Sequence, residues 1–171
     1  MKIDSHVHFW TYDPVKDAWI DDSMAVLKRN FYPADLEPVL KKSGIDGVVA
    51  VQADQSETET HFLLELAEKF DFIKGVVGWV DLRSPRVEER LEYFSQFKKL
   101  KGFRHIVQAE PEEDFLLCAD FMRGISLLKN YSYTYDILIY HRHLPVAFEF
   151  ARRFSDQPFI LDHIAKPDIK G

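Results

Sequence analysis

The sequence predicts an α/β fold of about six consecutive βα units. Three observations carry this. Six short segments are apolar on both faces and rich in β-branched or aromatic residues, as parallel strands covered on both sides are. Amphipathic stretches with start and stop signals lie between them. After the first unit, strand starts near 47, 72, 100, 133 and 158 are spaced by 25, 28, 33 and 25 residues, the period of a repeated βα unit. Such a chain can form an open doubly wound sheet or three quarters of a closed barrel.

The first strand is KIDSHVHF (2–9). The aromatic, turn-rich stretch after it makes the first unit about 45 residues long. A long loop past a strand's C-terminal end is expected to line a ligand site; the alternative is a surface insertion that packs Trp10 and Trp19. A helix over 35–44 carries Leu36, Val39 and Leu40 on one stripe and stops at Gly44. GVVAVQAD (47–54) is the second strand. The helix over 56–70 opens with Ser56 and Glu59 at capping-box spacing, and Leu63, Leu66, Ala67 and Phe70 form its apolar face. FIKGVVGWVD (72–81) is the third strand. A helix over 84–97 has Ser84 as cap, Pro85 at its first position, and Val87, Leu91 and Phe94 pointing one way. LKGFRHI (100–106), a helix over 112–124, YTYDILIYH (133–141), a helix over 144–154 and PFILDHIAKP (158–167) complete the order.

The chain has 171 residues, 46% of them apolar, enough for one domain with a real core. Its net charge of −6, with no Lys/Arg run, argues against nucleic acid and anionic membranes as partners. Cys118 is the single cysteine and reads as a small core residue, so no internal disulfide framework is expected. No signal-peptide pattern opens the chain, and no apolar run reaches membrane-span length. The expectation is a cytoplasmic protein.

Polar residues interrupt the apolar strands at their C-terminal ends, the rim where α/β folds build active sites. His6 and His8 close the first strand and, two residues apart, project to one face, with Val7 pointing away. Two imidazoles so placed can hold one metal ion or bracket a reacting carbonyl oxygen. His163 closes the sixth strand, and its neighbour Asp162 is expected on the opposite face, toward the helices. Arg104 and His105 alternate at the end of the fourth strand, so one of them faces the centre; a guanidinium there suits a carboxylate or sugar-acid oxygen. Gln52, His141 and Lys166 are candidate substrate contacts. Asp54 and Asp81 read equally as turn residues, His143 is a weaker rim candidate, and His61 is a helix-packing residue.

With these residues placed, the chain resembles the amidohydrolase superfamily, in the branch of sugar-acid lactonases and 2-pyrone-4,6-dicarboxylate lactonase. The carrying stretches are DSHVHFW, DGVVAVQAD, KGFRHI, DILIYHRHLP and FILDHIAKP, in the expected order over nearly the whole chain. The resemblance implies a (β/α)8 TIM-barrel fold of which this sequence holds about six units, a single domain over 1–171 that is C-terminally incomplete. It implies hydrolysis of a sugar-acid lactone, such as a fucono- or rhamnono-lactone, with His6, His8 and His163 as catalytic residues. Arg104, His105, Gln52 and His141 would be substrate contacts. The same three histidines would hold a divalent ion, zinc first, although several lactonases of the branch need no metal. The family's general base is an aspartate closing an eighth strand, which this sequence does not show. Two other readings stand beside the lactonase: a metal-dependent decarboxylase of an unsaturated acid, and a non-catalytic, partner-binding fragment. A small-molecule lactone is the expected partner, with room for a homo-oligomer.

Overall fold

The computed structural model describes residues 1–170. Its frame is a parallel sheet of β1 (Ile3–Val7), β2 (Gly47–Val51), β3 (Ile73–Gly78), β4 (Leu100–His105), β5 (Thr134–Ile137) and β6 (Phe159–Leu161), in that spatial order. Helices α1 (Pro33–Ser43), α2 (Glu57–Lys69), α3 (Val87–Phe94), α4 (Ala119–Leu128) and α5 (Leu144–Arg153) alternate with the strands. Sequential order with every neighbour parallel is the winding of a βα barrel, and it excludes the strand-order reversal of a doubly wound sheet. The sheet curls far enough for the ends of β1 and β6 to meet, with the His6 and His163 ring centroids 4.7 Å apart.

The core lies between the outer face of the sheet and the helices. Leu63, Val76, Leu91, Phe94, Phe103, Phe121, Tyr135 and Phe150 are all fully buried. The aromatic members interlock: Tyr135 on β5 stands edge-on to Phe121 and Phe150 from α4 and α5. Removing one of these rings would cost about 3–5 kcal/mol. Gly124 on α4 packs against the backbone of Leu82, a contact that only a residue without Cβ allows.

Helix signals in the sequence were honoured unevenly. Pro33 takes the first turn of α1, and Gly44 ends it in the left-handed region at φ 63°. Ser56 caps α2, its hydroxyl accepting from the Glu59 amide at 3.2 Å. The reciprocal half of the capping box is not made, because the Glu59 carboxylate accepts from the amides of Ala53 and Asp54 instead. The helix expected over 84–97 is shorter: Ser84 and Pro85 lie in a turn and α3 begins after Arg86. The helix expected over 112–124 is shifted: Phe115–Leu117 form a 3-10 turn, Cys118 is extended, and α4 starts at Ala119. The strands are shorter than the apolar runs: β3 ends at Gly78 and β5 at Ile137, before the polar residues that close those runs. No helix is long and apolar enough to cross a membrane among the described residues.

The long segment after β1 folds back across the rim. Trp10 and Phe31 exchange backbone hydrogen bonds of 3.1 and 3.0 Å and pack ring on ring at 4.3 Å, closing the segment at its base. Lys16 ties it to the β2–α2 loop through Asp54 at 2.9 Å and Glu59 at 3.7 Å.

Candidate active site

Strand β4 ends in Arg104 and His105, and the pleat sends them to opposite sides. Arg104 points inward, only 3% exposed. Its Nη1 donates to Asp162 Oδ2 at 2.9 Å, and its Nη2 donates to the Gln52 carbonyl. Asp136 on β5 is its register partner and shares its face. His105 points outward. It stacks on Phe115 at 4.7 Å, its Nδ1 accepts from Trp79 Nε1 at 3.3 Å, and its Nε2 lies 2.6 Å from Glu110 Oε1. The expectation of His105 as a substrate contact is therefore corrected: it is part of the helix-side packing.

Asp162 corrects a second expectation. Strict alternation would aim it at the helices, opposite His163. Strand β6 instead ends at Leu161, and His163, Ile164, Ala165 and Lys166 all take left-handed backbone conformations, with φ of 51°, 52°, 56° and 49°. Period-two alternation does not apply to such a turn. Asp162 turns inward and is buried, while His163 follows it to the rim. Left-handed conformations in residues with a Cβ cost about 1 kcal/mol or more each, and such strain gathers at functional sites.

His6 and His8 share one face, as their spacing requires. His8 Nδ1–H donates to the Val51 carbonyl at 2.7 Å. Burial, then the Arg104 charge, push the His8 pKa down to about 4. The ring is thus neutral near pH 7, with its Nε2 lone pair free, the state of a histidine ligand. That Nε2 lies 3.2 Å from His6 Nε2. On its other side, His6 Nδ1 lies 3.5 Å from Asp162 Oδ1, and Arg104 Nη1 approaches His6 Nε2 at 3.3 Å. The Arg104 guanidinium thus stands at the point where the two Nε2 atoms approach each other. Donor atoms of His6, Asp162 and His163 lie within 4.8 Å of one another. The three donors could hold one divalent ion; of the expected His6, His8 and His163, His6 and His163 fall in this group with Asp162, and His8 Nε2 lies beside His6.

The buried acids differ in charge state. Burial works against the ionised form of Asp162, but the His6 and Arg104 hydrogen bonds and the guanidinium charge outweigh it and hold that carboxyl below its ordinary range. Asp136 goes the other way. Burial and then the Asp162 charge raise it to about 7, with Arg104 only partly offsetting them. Asp136 Oδ1, Arg104 Nε and Gln52 Oε1 lack partners among the described residues. Sequence reading missed Asp136, although it is the one acid inside the apolar run YTYDILIYH.

A cavity of about 1100 Å³ opens above this cluster. His8, Arg104, His163, Gln108 and Lys166 line its floor, and Trp10, Trp19, Ile20 and Phe62 form an apolar wall. The segment after β1 thus lines the cavity, and Trp10 packs and lines at once. Gln52 is fully buried and does not line it; its Nε2 donates to the Arg104 carbonyl at 3.1 Å, a supporting contact. His141 is exposed and lies outside the cavity wall, its Nδ1 3.3 Å from the Lys166 carbonyl. His143 is buried against Tyr140, Asp81 caps the Arg83 amide, and His61 packs among Tyr93, Phe94 and Phe97.

Comparison with known proteins places this geometry. An L-fucono-1,5-lactonase of Burkholderia multivorans is 41% identical over 170 residues, covering 99% of this chain and 57% of that protein. An L-fucono-1,5-lactonase of Burkholderia ambifaria is 33% identical over 168 residues, covering 98% and 58%. The chain thus spans about three-fifths of the length of the curated relatives it matches. A crystal structure of an amidohydrolase from Burkholderia multivorans with bound zinc superimposes with a TM-score of 0.93 at 41% identity, over 98% of this chain and 59% of that one. A probable 2-pyrone-4,6-dicarboxylic acid hydrolase from Acinetobacter baumannii, at 14% identity and a TM-score of 0.73 over 99% and 61%, shares the fold. The amidohydrolase family model matches residues 3–171. With six strands wound in barrel order and paired histidines meeting His163 across the rim, the chain belongs to the amidohydrolase family.

Proposed function

We propose that this chain carries the site of a hydrolase that opens a sugar-acid lactone by adding water to the ring carbonyl. The convergence of His8, His163 and Arg104 on one cavity floor, with His6 and Asp162 packed directly against them, carries the reading, and the lactonase names of the relatives support it. In the reaction a carbon–oxygen bond forms from water, the ring carbon–oxygen bond breaks, the ring oxygen takes a proton, and a hydroxy-carboxylate and a proton are released. His8, neutral and held by its Nδ1–H to Val51, would offer its Nε2 lone pair to the attacking water, and His6, oriented by Asp162, would stand beside it. Arg104 would favour negative charge developing on the carbonyl oxygen. Its ion pair with Asp162 holds the guanidinium rigid, so little reorganisation accompanies the step.

His6, Asp162 and His163 would hold a divalent ion, and the zinc named for the solved relative supports zinc as that ion. When bound, the ion would polarise the carbonyl and ease deprotonation of water.

The test is hydrolysis of aldonolactones followed by proton release. The His6→Ala/His8→Ala variant is expected to lose turnover by a factor of about 100 or more. Undiminished turnover in that variant sinks the assignment.

A further inference from the structure

Lys166 is the cation of the cavity whose charge is not spent. The other cavity lysine, Lys16, is paired with Asp54 and Glu59, and Arg104 is paired with Asp162. No carboxylate lies within 4 Å of the Lys166 ammonium among the described residues. Its Nζ donates instead to Gln108 Oε1 at 2.7 Å and stands 5.4 Å from the centre of the Tyr140 ring. The side chain is half-buried, and burial and then Arg104 lower its pKa.

Three loops build this seat. Gln108 stands on the turn after β4, its amide donating to the Leu138 carbonyl at 3.2 Å. Tyr140 and His141 follow β5, and His141 lies against the Lys166 carbonyl. Lys166 ends the left-handed run that also delivers His163. With one lone pair of Gln108 Oε1 taken by the ammonium, the pair offers the cavity mainly donors: the remaining N–H bonds of Lys166 and the Nε2 of Gln108. A donor-rich pair with net positive charge, in a partly desolvated pocket, suits a carboxylate better than a neutral hydroxyl.

We propose that Lys166 and Gln108 form the seat to which the carboxylate set free by ring opening moves once it leaves the histidine floor, so the site holds the hydroxy-acid product as an anion. This rests on the hydrolase reading above. It makes Lys166 a binding residue for product and leaves the bond-breaking step to the histidine floor.

Titration calorimetry on the chain tests it with two ligands, L-fuconate and its alditol, which share hydroxyls and differ in the carboxylate. Lys166→Met should weaken fuconate binding about tenfold or more and leave alditol binding within about twofold, while Lys166→Arg stays within about threefold of wild type. Gln108→Leu, changed on a different loop, should weaken fuconate by a smaller factor in the same direction. A Lys166→Met chain that binds fuconate within twofold of wild type, or loses both ligands equally, overturns the seat. So does a wild-type chain that does not distinguish the two ligands. Lactone hydrolysis is measured beside the titration. Its absence with charge-selective binding intact removes the hydrolase reading and keeps the seat; hydrolysis with no charge selectivity does the reverse.

Discussion

Arg104 at the end of β4 and Asp162 just past β6 meet at 2.9 Å, reaching over β5, with side chains only 4% and 2% exposed. Asp136, on the strand between them, adds a second buried acid beside the same guanidinium. Two acids and one cation under the histidines form an electrostatic base that is expensive to desolvate and more expensive to break.

Removing either partner strands a buried charge. Asp162→Asn or Arg104→Met should each destabilise the chain by about 3–5 kcal/mol in urea unfolding. The Arg104→Met/Asp162→Leu double variant should lose less than the sum of the singles, because no charge is left orphaned. Additive losses would show the pair to be uncoupled.

The pH dependence of stability follows from His8 and Asp136 acting in opposition. His8 has its folded pKa lowered from 6.5 to about 4, so the unfolded chain binds the proton first. Its contribution is full above about 6.5 and is lost as pH falls toward 4. Asp136 has its folded pKa raised from 3.8 to about 7, so the folded chain binds the proton more tightly. That contribution is full below 3.8 and is lost as pH rises through 7. The two slopes offset each other between pH 4 and 6.5. Asp136→Asn removes one of them. It should be more stable than wild type at pH 7 by about 2–4 kcal/mol and should lose that advantage at pH 4. Urea melts at the two pH values check the sign.

Metal affinity should follow the inner cluster. His6→Ala, Asp162→Asn and His163→Ala are each expected to weaken zinc binding tenfold or more by equilibrium dialysis. His105→Ala and His141→Ala should stay within about twofold, since neither ring belongs to the cluster of His6, Asp162 and His163. Equal loss from the outer histidines would mean the ion binds elsewhere.

His105 should matter for stability alone. Its ring fills the space between Trp79, Glu110 and Phe115. His105→Ala should cost about 1–3 kcal/mol by leaving the Trp79 N–H and the Glu110 carboxylate without a partner. Turnover per folded molecule should be unchanged, measured as hydrolysis corrected for the folded fraction.

Much of this arrangement was readable in the residues. Each of the six apolar runs contains a strand, because residues covered on both faces leave an unbroken β-branched or aromatic pattern. His6 and His8 share a face because a strand has period two. Gly44 and Ser56 act as helix stop and cap by the chemistry of a missing Cβ and a hydroxyl acceptor. Element ends were less legible. Cys118 is extended where a helix is expected, and Ser84 lies in a bend whose carbonyl accepts from Arg123, a contact that local pattern does not record.

The inner cluster belonged to the tertiary structure. Alternation puts Asp162 on the wrong face because it assumes extended backbone, and four consecutive left-handed residues follow it. Asp136 carried no motif; it matters because Arg104 and Asp162 are folded against it. By itself, the sequence determined the alternation of strands and helices, the strand ends on which chemistry would gather, and the pairing of two histidines on one face. Which of Arg104 and His105 turned inward, whether Asp162 joined them, and where Lys166 spent its charge were decided only when β1, β4 and β6 curled round to one cavity. Charges distant in the chain acquire their partners, and their protonation states, from that closure.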